Sequence, residues 1–311
     1  MPTGLDVRST AIPASEVRLF KSLRTYCEGA AIAVVVLAGV VVLGWVFDIE
    51  ILKSVVPGLV TMKVNTALGL ALTAISLWML LPGPSRTRRG HIARFLALLV
   101  VLIGLATLAE YTFGMNLQID ELFFSDPLGS HGTSSPGRLA PTTATAFLAL
   151  GIALLLLDWK TQRGRRPAQV LTLWAGLIAM MAICSYLYHA SALSKIWLYT
   201  QVAINTALGL LLSSGAIFFA RPRDGIAGDI TSAGSGSVMA RRFLPAVLLI
   251  PIFLGWIVLQ GQHAGMYGNE LGVALYATSN ILVFAILVWL SARKMNVEYA
   301  QRSRAEHKIL D

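Results

Sequence analysis

Charge is scarce in this chain. Asp, Glu, Lys and Arg make up 13% of its 311 residues, about half of what a soluble domain carries, and the mean hydropathy is +0.69. A soluble globular enzyme is thereby excluded. Cysteine is scarcer still. Cys27 and Cys184 lie outside any C-x-x-C spacing, so the sequence holds neither a disulfide framework nor a cysteine metal site. Both read as small buried apolar residues. The five histidines include no i,i+4 pair and no H-E-x-x-H, so His131, His189 and His263 make no metal or haem site, and no cofactor is expected. No nucleotide loop, Ser/His/Asp set or paired-carboxylate site occurs, and no catalytic residue is assigned. Acidic residues are outnumbered, 16 against 25 basic, for a net charge of +9. The basic runs Arg86-Thr87-Arg88-Arg89 and Arg163-Gly164-Arg165-Arg166 lack interleaved aromatics. They exclude nucleic acid as a partner and read as topology determinants beside anionic lipid.

What is abundant is apolar sequence, 56% of residues. Eight stretches approach the roughly 20 residues that cross a bilayer core: 28–47, 64–82, 93–113, 142–159, 168–189, 202–220, 243–260 and 271–292. Residues 1–27 mix charges without an apolar core and read as a cytoplasmic tail, not a signal peptide. The tail and the loops 83–94, 159–167, 221–242 and 293–311 hold 21 of the 25 Lys and Arg. The opposite loops hold only Lys53, Lys63, Arg138 and Lys195, with Asp48, Glu50, Asp120, Glu121, Asp126 and Glu270. By the positive-inside rule both termini are cytoplasmic.

One phrase recurs. Asn65-Thr66-Ala67-Leu68-Gly69-Leu70-Ala71-Leu72 returns as Asn205-Thr206-Ala207-Leu208-Gly209-Leu210-Leu211-Leu212. A degenerate copy begins at Thr142-Thr143-Ala144 and a weak fourth at Asn269-Glu270-Leu271-Gly272. Each copy opens an even-numbered span at its outer end, and Leu43-Gly44-Trp45 of span one recurs as Leu254-Gly255-Trp256 in span seven. Repetition at this scale sets the architecture. The expected fold class is an all-α membrane protein: eight transmembrane helices as four parallel-repeat helical hairpins. Residues 1–27 form the tail, 28–292 the membrane domain and 293–311 a cytoplasmic signalling helix. Residues 119–124 and 49–61 read as interfacial segments, and 224–239, rich in Gly, Ser and Ala, as a flexible linker. No Gly or Pro occurs from 273 to 311, so span eight is expected to continue as helix into the cytoplasm.

The candidate binding residues gather at the outer helix starts. Asn65, Thr66, Thr142, Asn205 and Thr206 have the chemistry of N-caps, and Ala67, Gly69, Ala207 and Gly209 that of close helix packing. The same helix starts, each with partial positive charge, would build a shared pocket with Lys63 and Arg138 for a small-molecule ligand: a carboxylate, a lipid phosphate or a quinone headgroup. Glu110 and Tyr111 end span three, Glu110 about 24 Å along the helix from Arg94. Pairing of Glu110 with Arg138 or Lys63 and contact with a ligand are both open. The outer aromatics, among them Trp45, Phe47, Tyr111, Phe113, Tyr186 and Tyr188, read mainly as an interfacial belt.

In order and spacing the motifs carry a family resemblance. They are Pro57-Gly58 with Met62-Lys63-Val64-Asn65-Thr66-Ala67-Leu68, Glu110-Tyr111 with Ile119-Asp120, and Gly137-Arg138-Leu139-Ala140-Pro141. Asn205-Thr206-Ala207-Leu208, Arg241-Arg242-Phe243-Leu244-Pro245 and the closing Arg302, Arg304-Ala305-Glu306 helix follow. The chain over most of 40–311 resembles the multi-pass N-terminal membrane region of bacterial PAS-containing sensor histidine kinases and diguanylate cyclases. Thr142 and Thr145 depart from the Asn and Leu of that pattern. The resemblance implies the input half of a receptor, with no PAS, phosphoacceptor or ATP-binding domain within these residues. It implies a homodimer in the bacterial cytoplasmic (inner) membrane, passing an outer-leaflet or periplasmic cue to an output domain. Two other functions are weighed beside it: a small-molecule or lipid transporter or channel, and an intramembrane lipid enzyme using Glu110, Asp120 and His131.

Overall fold

The computed structural model describes residues 14–54, 59–83, 87–119, 137–188, 202–232 and 234–310, with backbone alone at 14–15, 235 and 294–310. Every regular element among them is helical: α1 Ala14–Val46, α2 Glu50–Ser54, α3 Val64–Leu80, α4 Arg88–Phe113, α5 Pro141–Leu155, α6 Pro167–Leu187, α7 Ile204–Phe219, α8 Gly225–Thr231, α9 Ser235–His263 and α10 Asn269–Leu310. Five of these, α1, α4, α6, α9 and α10, are long and apolar enough to cross a membrane. The apolar helices α3, α5 and α7 have 17, 15 and 16 residues, about 23–26 Å of rise.

The chain divides into two compact units, 1–233 and 234–311. In the first, long and short helices alternate, and contacts close a ring: α1 on α3, α3 on α4, α4 on α5, α5 on α6, α6 on α7, and α7 back on α1. The three short helices also touch one another. On their shared axis a bulky residue of one helix fills a gap left by a small residue of the next. A Cβ on Gly69 would lie 2.7 Å from the Phe147 ring, and one on Gly209 2.5 Å from a Leu70 methyl. Leu70, Phe147 and Leu210 are each fully buried. The repeated Leu-Gly-Leu is therefore a packing device, as its small residues led one to expect.

The long helices turn apolar faces outward. Ile32, Val36, Leu98, Leu102, Leu173 and Leu177 are exposed, whereas Thr73, Ser76, Thr107, Ser213 and Ser214 are buried. Such an exterior suits hydrocarbon and not water, and the protein is a helical membrane protein. Cys27 is buried, its Sγ donating to the Ala216 carbonyl at 3.2 Å.

The basic end of the ring is tied by ion pairs. Arg221 donates to Asp158 at 2.9 Å and to the Leu80 carbonyl at 2.9 Å. Arg166 donates to the Leu157 carbonyl at 2.5 Å and to Asp224 at 2.7 Å, and Lys160 reaches Asp224 at 2.6 Å. Both arginines thus place cations on helix C-terminal carbonyls, where the dipole favours them. Burial works to raise the Asp224 carboxyl, but hydrogen bonds and charge from Lys160 and Arg166 outweigh it and hold the group below the usual carboxylate range.

Two expectations change here. The first helix starts at Ala14, because charged residues such as the Arg24–Glu28 pair at 2.9 Å extend it as i,i+4 partners. Segment 224–239 is not a flexible linker: it contains α8 and the start of α9. Gln169 holds the segment's entry, its Nε2 donating to the Asp224 carbonyl while its Oε1 accepts from the Ile226 N–H. The weak fourth copy at Asn269 opens a helix, α10, which belongs to the second unit. Of the interfacial segments, α2 falls within 49–61, while residues 120–124 lie outside the described residues.

The second unit is a hairpin of α9 and α10, turned at 264–268, where Gly265 takes a φ of +71° that L side chains resist. Tyr267 donates its hydroxyl to the Val258 carbonyl at 2.9 Å across the turn. Pro245 and Pro251 lie inside α9, each deleting one backbone hydrogen bond. α10 runs for 42 residues, about 63 Å.

Candidate functional site

The short helices begin together at one end of the ring, and each begins the same way. The residue before the first turn is extended: Lys63 at φ −74°, ψ 151°, Ala140 at −61°, 142°, and Ala203 at −57°, 146°. These residues are the N-caps, and none caps its helix with a side chain. Asn65, Thr142 and Asn205 were expected to cap. They sit two residues further in, at N2, because helix begins immediately after the extended entry. Their work differs. Asn65 Nδ2 donates to the Ile119 carbonyl at 2.8 Å, and Asn205 Nδ2 to the Lys53 carbonyl at 3.0 Å. Each amide ties the chain that follows a neighbouring long helix. Thr142, the shorter residue at the third equivalent position, buries a hydroxyl with no partner among the described residues.

An extended entry in apolar surroundings leaves carbonyls that no helix satisfies. The long helices satisfy them. Trp45 Nε1 donates to the Met62 carbonyl at 2.9 Å, the Tyr111 hydroxyl to Leu139 at 3.1 Å, and the Tyr186 hydroxyl to Val202 at 2.9 Å. The three acceptors are equivalent, each one residue before an N-cap. Trp45, Tyr111 and Tyr186 are thus tethers and not merely belt residues. Trp256, the counterpart suggested by the second Leu-Gly-Trp, instead stacks beside Phe253 with ring centroids 6.2 Å apart. Tyr186→Phe removes one donor and is expected to cost about 1–3 kcal/mol in unfolding by denaturing detergent. Tyr276→Phe, half-exposed on α10, should stay within about 0.5 kcal/mol.

The entries enclose a cleft lined by Val60–Lys63, Thr66, Arg138–Ala140, Thr143, Val202, Ala203 and Thr206. Its free volume is about 20 Å³. Among the expected site residues, Lys63, Thr66, Arg138 and Thr206 are brought together here. Thr143 belongs with them, aligned with Thr66 and Thr206 in the repeat. Asn65, Asn205 and Thr142 stand behind the wall.

Glu110 and Tyr111 also stand behind it, through Arg138. Glu110 is 1% exposed. One carboxylate oxygen accepts the Leu117 N–H at 2.8 Å, and the other lies 3.5 Å from Arg138 Nε. The Arg138 guanidinium also sits over the Tyr111 ring, 5.4 Å from its centroid. Of the two pairings open for Glu110, the one with Arg138 is present. On the flank, Lys53 bonds Asp48 and covers the Trp45 ring at 4.6 Å. That hydrogen bond and charge hold the exposed Asp48 carboxyl below its usual value. No group of three His, Cys, Asp or Glu able to hold a metal occurs among the described residues. Asp120, Glu121, Asp126, His131, His189 and Lys195 lie outside them. No family model, curated protein or solved structure gives a significant match to this chain.

Proposed function

We propose that this protein is a membrane-embedded sensory input module: it takes a cue at the outer end of the helix ring and passes it through α10 to a cytoplasmic output. In this reading α1, α3, α4, α5, α6, α7, α9 and α10 all span, as four helical hairpins with both termini cytoplasmic. The short inner spans are completed by their extended entries. The setting is the bacterial inner membrane, and the working form is a homodimer. No catalysis is assigned to the chain.

The observation that carries the reading is α10. It runs unbroken for 42 residues, roughly twice the length a bilayer core requires. Its apolar part ends near Arg293, and the remainder is charged helix, a form that transmits rotation or displacement where a loop would not. Signalling by this route requires two packings of the membrane domain that the cue biases.

The runner-up is a transporter or channel. Against it, Leu70, Phe147 and Leu210 fill the axis between the three inner helices without exposure, so among the described residues no path follows that axis. Flux in proteoliposomes that is lost in an Asn65→Ala, Asn205→Ala double variant would favour transport.

The sensory reading is tested with a reporter kinase fused after Leu310. Asn205→Ala frees the Lys53 carbonyl tie and is expected to change kinase output severalfold. A Gly-Gly insertion between Asn296 and Val297 is expected to erase that difference. Output indifferent to Asn205→Ala, or equally responsive with the insertion present, counts against it.

A further inference from the structure

We propose that the cleft at the start of α3, α5 and α7 binds an anionic oxygen group, a carboxylate or a phosphate, through the hydroxyls of Thr66, Thr143 and Thr206. The three threonines occupy the same position, N3, in the three helices. They are 3%, 2% and 2% exposed, and all line one cleft.

Two buried helical threonines elsewhere in this ring donate to a carbonyl of the preceding turn, while the Thr107 hydroxyl, away from the cleft, bonds no described residue. Thr73 bonds Gly69 at 2.7 Å, and Thr172 bonds Gln169 at 2.7 Å. At N3 each such carbonyl already accepts one bond, and none of them accepts the threonine hydroxyl. The i−4 carbonyls of Met62, Leu139 and Val202 accept the aromatic tethers. The i−3 carbonyls of Lys63, Ala140 and Ala203 accept the first intrahelical bonds, from Ala67, Ala144 and Ala207. The three hydroxyls line the cleft and make no hydrogen bond to any described residue. Leaving such groups without an acceptor is costly.

The field selects the acceptor's charge. The first-turn N–H groups of three helices have no intrahelical partner, and no N-cap side chain covers them. Each helix start carries about half a positive charge. Lys63 and Arg138 are in the wall, Arg138 with Glu110 3.5 Å behind it, and no acidic residue is among the described residues that line it. A cation is repelled, and a neutral ligand gains nothing from the dipoles. The free volume of about 20 Å³ admits one water-sized group, so one oxygen of the anion enters and the rest of the group stays in the mouth.

The inference names the class of cue for the sensory reading and rests on that reading only for its consequence. Binding is measured without any output domain, so either can fail alone. The full chain is placed in phosphatidylcholine nanodiscs and titrated with inorganic phosphate or succinate. In a second arm the discs contain phosphatidylglycerol and no soluble anion. The readout is the thermal unfolding midpoint.

A saturable rise with soluble anion identifies a solute as the source, and a rise with phosphatidylglycerol alone identifies a lipid headgroup. In either arm Thr66→Val, Thr143→Val, Thr206→Val together should weaken binding at least tenfold. Thr206→Val alone should weaken it severalfold, which keeps the test intact if the triple variant does not fold. No saturable shift in either arm, or unchanged affinity in the valine variants, overturns the proposal.

Discussion

Arg138→Ala is expected to lower the stability of the membrane domain by about 3–5 kcal/mol. The Glu110 side chain is 0% exposed and that of Arg138 12%. Removal of the guanidinium takes one partner from a buried carboxylate that also accepts the Leu117 N–H. Breaking a buried ion pair by removing one partner costs far more than replacing both by neutral groups. Glu110→Gln retains an oxygen for the Leu117 N–H, so it should cost less. The double variant Glu110→Gln, Arg138→Met should recover part of the loss seen with Arg138→Ala. A double-mutant cycle by denaturing-detergent unfolding reads the coupling. Additive losses would mean that the 3.5 Å approach contributes nothing.

Gly104→Val is expected to abolish assembly of α4 with α5. A Cβ at Gly104 would lie 2.7 Å from the Ala144 carbonyl oxygen and 2.9 Å from the Leu148 nitrogen. Both are backbone atoms of α5, which cannot swing aside as a side chain can. Gly151 faces back in the same way, its Cβ 2.9 Å from the Val101 nitrogen. Ala at 104 should cost roughly 1–3 kcal/mol as overpacking, and the larger Val should prevent a monodisperse folded species in size-exclusion chromatography. Gly39 is the control, because a Cβ there meets nothing within 4 Å. Gly39→Ala should be neutral or stabilising by up to about 1 kcal/mol.

Much of this fold is legible in the sequence, because a membrane helix is written as a run of apolar residues. Each of the eight runs coincides with a helix. The misjudged boundaries lie where polar residues join a helix: Ala14–Cys27 continues α1, and Gly225–Thr231 forms α8 beside Gln169. Neither has an apolar run to announce it. The ring closure is long-range, set by which small residue meets which large one. Gly69 meeting Phe147, and Gly209 meeting Leu70, cannot be read from either copy of the phrase alone.

At the site, the sequence reading finds the right end of the molecule and misassigns its atoms. Asn65 and Asn205 look like caps because they begin an apolar run. The extended entry shifts the helix start by two residues, and their amides tie neighbouring connections instead. The tethers had a signal. Trp45-Val46-Phe47, Tyr111-Thr112-Phe113 and Tyr186-Leu187-Tyr188 place the same aromatic-x-aromatic pattern at the ends of three long helices. Interfacial aromatics are so common in membrane proteins that the spacing is masked by the composition. Thr143 was hidden for a related reason: the degenerate copy draws attention to Thr142, where it departs, and not to the next residue, where it agrees.

The central claim is that α10 carries a state of the membrane domain as a rigid helix. Its most direct test inserts one to seven alanines between Asn296 and Val297 ahead of a fused kinase reporter and measures autophosphorylation. Each residue turns the reporter by about 100°, so output should rise and fall with helical phase. It should be furthest from the parent at about two insertions, return toward it near four and again near seven. Output that is the same at every length, or that declines steadily with length, would contradict the account.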